Sequence, residues 1–147
     1  MAGFADDDLE QIAEICSLWT YRTGEHCATQ GMPSDEILIV KDGKVAVEMH
    51  IDVAPYAQIL RIATLTKGNI VDFSAFLEPH SPTASAICIE KAEIICIKLV
   101  NLEDIFKQRP PIEHKLMKNL VAIMGSRFRD SRIQLARFVA EIVKQGK

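Results

Sequence analysis

The chain has 147 residues, room for one domain with a real core. Apolar residues make up 48% and charged residues 25%, an ordinary balance for a globular protein and one without a low-complexity or linker segment. The net charge of −3 is uneven: residues 1–108 carry 8 Lys/Arg against 17 Asp/Glu (−9), and residues 109–147 carry 9 against 3 (+6).

Complementarity between this acidic body and basic tail, within a chain or across a dimer, is favoured over a nucleic-acid or membrane contact. The acidic opening from Met1 to Asp8 has no basic-then-apolar signal pattern, and the apolar runs are too short to span a bilayer. A cytoplasmic protein is expected. The four cysteines, Cys16, Cys27, Cys88 and Cys96, lack metal-site spacing and read as buried, reduced thiols. Cys88 and Cys96 could face each other across a hairpin, which leaves a redox role open.

In chain order, Asp8 is placed to cap a short helix, with Leu9, Ile12, Ala13 and Cys16 on one side. Leu18 to Arg22 reads as extended, Thr23-Gly24-Glu25 as a turn, and Glu25 to Thr29 as a strand. Gln30 to Pro33 turns again. Ile37-Leu38-Ile39-Val40 within Glu36 to Lys41 predicts a strand covered on both faces. Asp42-Gly43 is a two-residue hairpin signal. Val45, Val47, Met49 and Ile51 then alternate as a half-buried strand. Asp52 to Tyr56 reads as a loop, Ile59 to Leu65 as a strand, and Lys67-Gly68 as its closing turn.

The stretch from Gly68 to Glu90 organises the rest. Ser74-Ala75-Phe76-Leu77 predicts a short helix whose first turn offers unpaired N–H groups to a ligand, followed by a Pro/His/Ser/Pro loop and a small-residue strand. Glu93 to Val100 is expected to return as a hairpin partner. Leu102 to Gln108 then predicts a short helix, broken at Arg109-Pro110-Pro111. From Ile112 the chain reads as one long helix, in which Val121, Met124, Phe128, Ser131, Leu135, Phe138 and Ile142 step by three and four. That stripe predicts a parallel homodimer, because such a helix outruns one small barrel.

The frequent turn glycines and absence of a βαβ rhythm predict an antiparallel sandwich or barrel up to Val100. Three ordered motifs sharpen this. Tyr21-Arg22-Thr23-Gly24-Glu25-His26, Gln30 to Glu36 running into Ile37 to Val45, and Lys67-Gly68-Asn69-Ile70-Val71 follow one another in that order. With the long helix and the stretch from Gly68 to Glu90, whose order is similar to a phosphate-binding cassette, they resemble the sensor half of the cyclic-AMP receptor protein/fumarate-nitrate regulator superfamily. The resemblance implies a mainly β fold with flanking helices: a double-stranded β-helix (β-roll, jelly-roll type) over residues 1–108 and a dimerisation helix over 109–147.

In that family, Phe-Gly-Glu opens the cassette and an Arg follows the loop proline. The matching residues here are Val71, Asp72 and Phe73, and then Pro82 and Thr83. No Lys or Arg occurs from Asn69 to Glu90. The expected pocket wall is Val71, Asp72, Phe73, Ser74, Ala75, Thr83, Ala84 and Ser85, with Phe73 and Phe76 as core plugs and His80 on an exposed loop. Val71 to Phe76 resembles the cassette of the oxygen-sensing branch, but that branch's iron–sulfur cysteines have no counterpart before Cys16.

A non-catalytic sensor or regulatory module is therefore expected, without a metal, cofactor or catalytic residue, one that senses a small-molecule effector or works through dimerisation and partner binding. Cyclic nucleotide is disfavoured because phosphate recognition leans on charge-assisted bonds. His26, His50 and His114 are too scattered for a metal site, and no helix-turn-helix motif or membrane contact is expected. Two alternatives stand beside this reading. An arginine reaching in from outside the cassette (Arg61, Arg127 or Arg132) would favour a genuine cyclic AMP or cyclic GMP binder with an atypical cassette. An adaptor gripping an acidic partner or nucleic acid through the basic helix would show steep salt dependence.

Overall fold

Ile37, Leu38, Ile39 and Val40 are all buried, and the pleat sends alternate side chains to opposite faces. Ile37 and Ile39 join a core with Ile97, Leu102, Phe106, Ile112 and Leu116, most of them helical. Leu38 and Val40 join a second core inside the roll with Val45, Val47, Val71 and Ile94. Strand β3 (Glu36–Asp42) thus separates two hydrophobic layers, which is why it carries no polar face.

The computed structural model describes residues 6–145, and the side chains of Asp6 and Leu9 lie outside the described residues. Helix α1 (Asp6–Glu14) leads into β1 (Cys16–Tyr21), β2 (His26–Ala28) and β3. Next come β4 (Val45–Val53), β5 (Tyr56–Leu65), β6 (Ile70–Asp72), a 3-10 turn (Ser74–Phe76), β7 (Ser85–Cys88) and β8 (Ala92–Lys98). Helices α2 (Leu99–Gln108) and α3 (Pro110–Gln145) close the chain. The strands form two four-stranded antiparallel sheets, β1-β8-β3-β6 and β2-β7-β4-β5. This is the expected β-roll.

Asp42-Gly43 is not a hairpin. Strand β4 pairs with β5 and β7 in the other sheet, so the segment is a corner between sheets. Gly43 has φ +94°, and a Cβ there would lie 2.4 Å from the Lys91 carbonyl oxygen. A turn dipeptide reports local backbone conformation, not which sheet the next strand joins.

The β7–β8 connection differs for the same reason. β8 pairs with β1 and β3, whereas β7 pairs with β2 and β4. Cys88 and Cys96 therefore lie in opposite sheets and do not face each other across a hairpin. The expected loop from Asp52 to Tyr56 is mostly strand: Val53 pairs with Tyr56, and β5 begins three residues before Ile59. Asp8 lies inside α1 rather than capping it, because its carboxylate accepts from Arg109 Nη1 at 3.0 Å and joins α1 to the α2–α3 corner.

Helix α2 begins at Leu99, and β8 ends at Lys98 rather than Val100. Helix α3 has 36 residues, about 54 Å at 1.5 Å per residue. Ile112, Leu116 and Leu120 recur one helical turn apart and are all buried. Further along, α3 lies over β5. Among the described residues, no helix is long and apolar enough to cross a membrane.

Candidate functional site

A cavity of about 400 Å³ lies between the roll and the middle of α3. One wall is the β6 end, the 3-10 turn and the loop into β7; the roll interior adds Val47 and Ile62. Met124, Arg127, Phe128 and Ser131 of α3 complete it. Of the expected wall residues, Val71, Asp72, Phe73, Ser74, Thr83, Ala84 and Ser85 line the cavity. Ala75 packs instead into the core shared with the helices. The loop is held against the β2–β3 connection, where Gly31 N–H donates to the Pro82 carbonyl at 3.0 Å and Ser34 N–H to the His80 carbonyl at 2.8 Å.

Asp72 sets the character of the cassette. Its Oδ1 accepts the Ser74 N–H at 2.8 Å, so a carboxylate of the chain itself occupies the first free donor of the turn. That position would otherwise suit an anion. Asp72 is 5% exposed and Ser74 8%. Among the described residues, neither Asp72 Oδ2 nor Ser74 Oγ has a hydrogen-bond partner.

Arg127 reaches this wall from α3. Nη1 donates to the Val71 carbonyl at 2.9 Å, Nη2 donates to the Ile70 carbonyl, and the guanidinium lies 5.2 Å over the Phe73 ring. Burial pulls its pKa down, opposed by the charge of Asp72. The two carbonyls belong to the first two residues of β6, the edge strand of its sheet, which has a partner strand on one side only. Arg61 faces Glu48 at 3.9 Å instead, and Arg132 is exposed on α3 and does not line the cavity.

Phe76 stacks on Phe106 with ring centroids 6.4 Å apart and packs, half-buried, against the helix-side core. Phe73 packs at the edge of that core, lines the cavity and supports Arg127. His80 is exposed but its Nδ1 lies 2.9 Å from the Ala75 carbonyl, which ties it to the back of the turn. Among the described residues, no group of three or more His, Cys, Asp or Glu side chains could hold a metal ion. Burial pushes the Cys27 and Cys96 thiols up to about 12.

The helical stripe divides in space. Val121 is 69% exposed; Met124 and Phe128 border the cavity. Leu135 is 40% exposed. Phe138 is buried, and with Ile142 it lines a second concavity against Pro55 to Gln58 at the β4–β5 tip. The spacing showed that Met124, Phe128 and Ser131 share a face, but not that their own roll lies under it. Val47, Ile62, Leu77 and Glu78 also line the cavity and carried no sequence signal beyond ordinary strand and loop composition.

A family model described as "Cyclic nucleotide-binding domain" matches residues 18–109. The chain belongs to the cyclic nucleotide-binding domain family. Among curated proteins, the domain is similar to glutaminase 1 of Bradyrhizobium diazoefficiens, 28% identical over 127 residues. That match covers 86% of this chain, which spans only 19% of the glutaminase's length. A cyclic nucleotide-binding domain from Methylobacillus flagellatus shares its fold at TM-score 0.78 and 19% identity, covering 93% of this chain and 76% of that one. The c-di-GMP responsive global regulator of Xanthomonas campestris does so at TM-score 0.78 and 16% identity, covering 92% and 65%.

Proposed function

We propose that this cyclic nucleotide-binding domain is a non-catalytic sensor or regulatory module whose cavity takes a small molecule other than cyclic AMP or cyclic GMP. One observation carries the reading: the cassette turn is already occupied by the Asp72 carboxylate, and the arginine that reaches the wall is bound to the Ile70 and Val71 carbonyls. A cyclic phosphate there would face Asp72 and Glu78 with no unengaged cation among the described lining residues. A fold relative described as c-di-GMP responsive supports a cavity not tied to cyclic AMP. The match to a fifth of a glutaminase supports a module that serves an activity lying elsewhere.

Residues 1–108 form the sensing roll in this reading, and 109–147 the reporting helix. Val121 and Phe128, each 69% exposed, with Val139 and Val143 at 56% and 54%, supply apolar surface for pairing with a second copy. A ligand would bias the helices only through different affinity for two arrangements of α3.

The second reading, a genuine cyclic nucleotide binder, is favoured by Arg127 itself, which would have to exchange two carbonyls for a phosphate. Thermal unfolding with cyclic AMP or cyclic GMP tests the choice. No change in midpoint is expected, and a saturable rise with either nucleotide overturns the proposal.

A further inference from the structure

The charged and polar groups of the cavity wall are largely spent on the protein itself. Among the described lining residues the charged side chains are Asp72, Glu78 and Arg127. Arg127 donates to the Ile70 and Val71 carbonyls and covers Phe73. Asp72 accepts the Ser74 N–H, and its other oxygen, like Ser74 Oγ, is sealed from solvent. Ser85 Oγ accepts the Gln30 N–H at 2.9 Å. Glu78 is exposed on the loop, where water solvates it. The rest of the wall is mostly apolar, with Val47 and Ile62 from the roll and Leu77, Met124 and Phe128 from the loop and α3. The last three are 41%, 39% and 69% exposed, so large apolar side chains from opposite walls meet water at one cavity.

Resting on the proposal that cyclic nucleotide is not the ligand, we infer that the cavity takes a neutral, largely apolar small molecule: a ring system with at most a hydroxyl pole. An ion would shed its hydration and find no opposite charge inside to replace it, since Arg127 is engaged and Glu78 stays in water. A neutral body gives up little hydration and takes apolar surface of the roll and of α3 out of water. The Phe73 and Phe128 rings suit edge or face contacts with a flat ring, and the Met124 thioether adapts to its outline. Thr83 and Ser131 also line the cavity, and their hydroxyls can donate to or accept from a single polar group. The volume of about 400 Å³ lies within the range of about 300–1,000 Å³ usual for such mostly apolar sites.

The test titrates three probes built on one ring system into the full chain at neutral pH, each to millimolar concentration: 2-naphthol, 2-naphthoate and 2-naphthylmethylamine. The neutral naphthol is expected to bind about tenfold or more tightly than either ion. Ala84→Leu fills space at the loop wall, and Met124→Glu sets a carboxylate on the helix wall. Each should weaken naphthol binding about tenfold or more. An ion that binds as tightly as the naphthol, no saturable naphthol binding, or a naphthol affinity unchanged in either folded variant overturns the inference. Met124 is 39% exposed on α3, so its variant should fold even if Ala84→Leu does not. Binding of cyclic AMP, titrated separately, would instead overturn the reading on which the inference rests, so the two failures are distinct.

Discussion

Arg127 of the long helix donates to the backbone carbonyl of Val71 at 2.9 Å, in the short strand that leads into the cassette. It donates to the Ile70 carbonyl as well and covers the Phe73 ring. One side chain thus joins the cavity wall to α3. Arg127→Met keeps the length but strips two buried acceptors of their donor. It should lower stability by about 1–3 kcal/mol in urea unfolding, with Arg127→Lys between the two. An unchanged midpoint in Arg127→Met would show that the contact contributes nothing.

Gly43 offers the sharpest backbone test. It combines φ +94° with a Cβ position 2.4 Å from Lys91 O and 2.7 Å from the Ala92 Cα. The β7–β8 connection would have to move for any side chain. Gly43→Ala should cost about 2–4 kcal/mol in urea unfolding, well above an ordinary Gly→Ala change. Gly24, with φ +90° but nothing near its Cβ position, should cost less on the same substitution.

The helix stripes should behave differently from one another. Ile112→Ala removes a side chain with no exposed surface, at an expected cost of about 2–5 kcal/mol. Val121→Ala, at a position 69% exposed, should leave the stability of an isolated subunit within about 0.5 kcal/mol. If α3 pairs with a second copy, Val121→Ala should weaken dimerisation in sedimentation equilibrium while the roll stays folded.

The buried thiols predict a basic limb in the stability profile. Desolvation raises Cys27 and Cys96 to about 12 from the usual 9, so each folded pKa lies above its unfolded value. Their contribution is complete below about pH 9 and is lost as pH rises towards about 12. Urea midpoints should therefore fall across that window. In the Cys27→Ala/Cys96→Ala double variant the fall should be shallower, and an identical slope would remove the thiols from the account.

The roll was legible because its signals are local. Ile37 to Val40 announced a strand buried on both faces, and the turn glycines marked where strands stop. Sheet membership was not legible. Asp42-Gly43 and the β7–β8 connection both look like hairpins, yet both carry the chain between sheets, a choice made by the packing of Leu38 and Val40 against Val45 and Val47. The cassette wall could be read residue by residue, and so could its lack of Lys and Arg. Arg127 could be named only as one of three candidates, because 56 residues separate it from Val71 and only tertiary structure brings them together. The stripe from Val121 to Ile142 was visible as a face. Spacing cannot tell a partner helix from the chain's own β5, since either surface accepts the same apolar residues.

The most direct measurement is calorimetric titration of cyclic AMP and cyclic GMP, each to millimolar concentration, into the unaltered chain and the Arg127→Met variant. The account predicts no saturable heat from either protein. Micromolar binding to the unaltered chain that disappears in Arg127→Met would contradict it, making Arg127 the phosphate partner and the cavity a true cyclic nucleotide site.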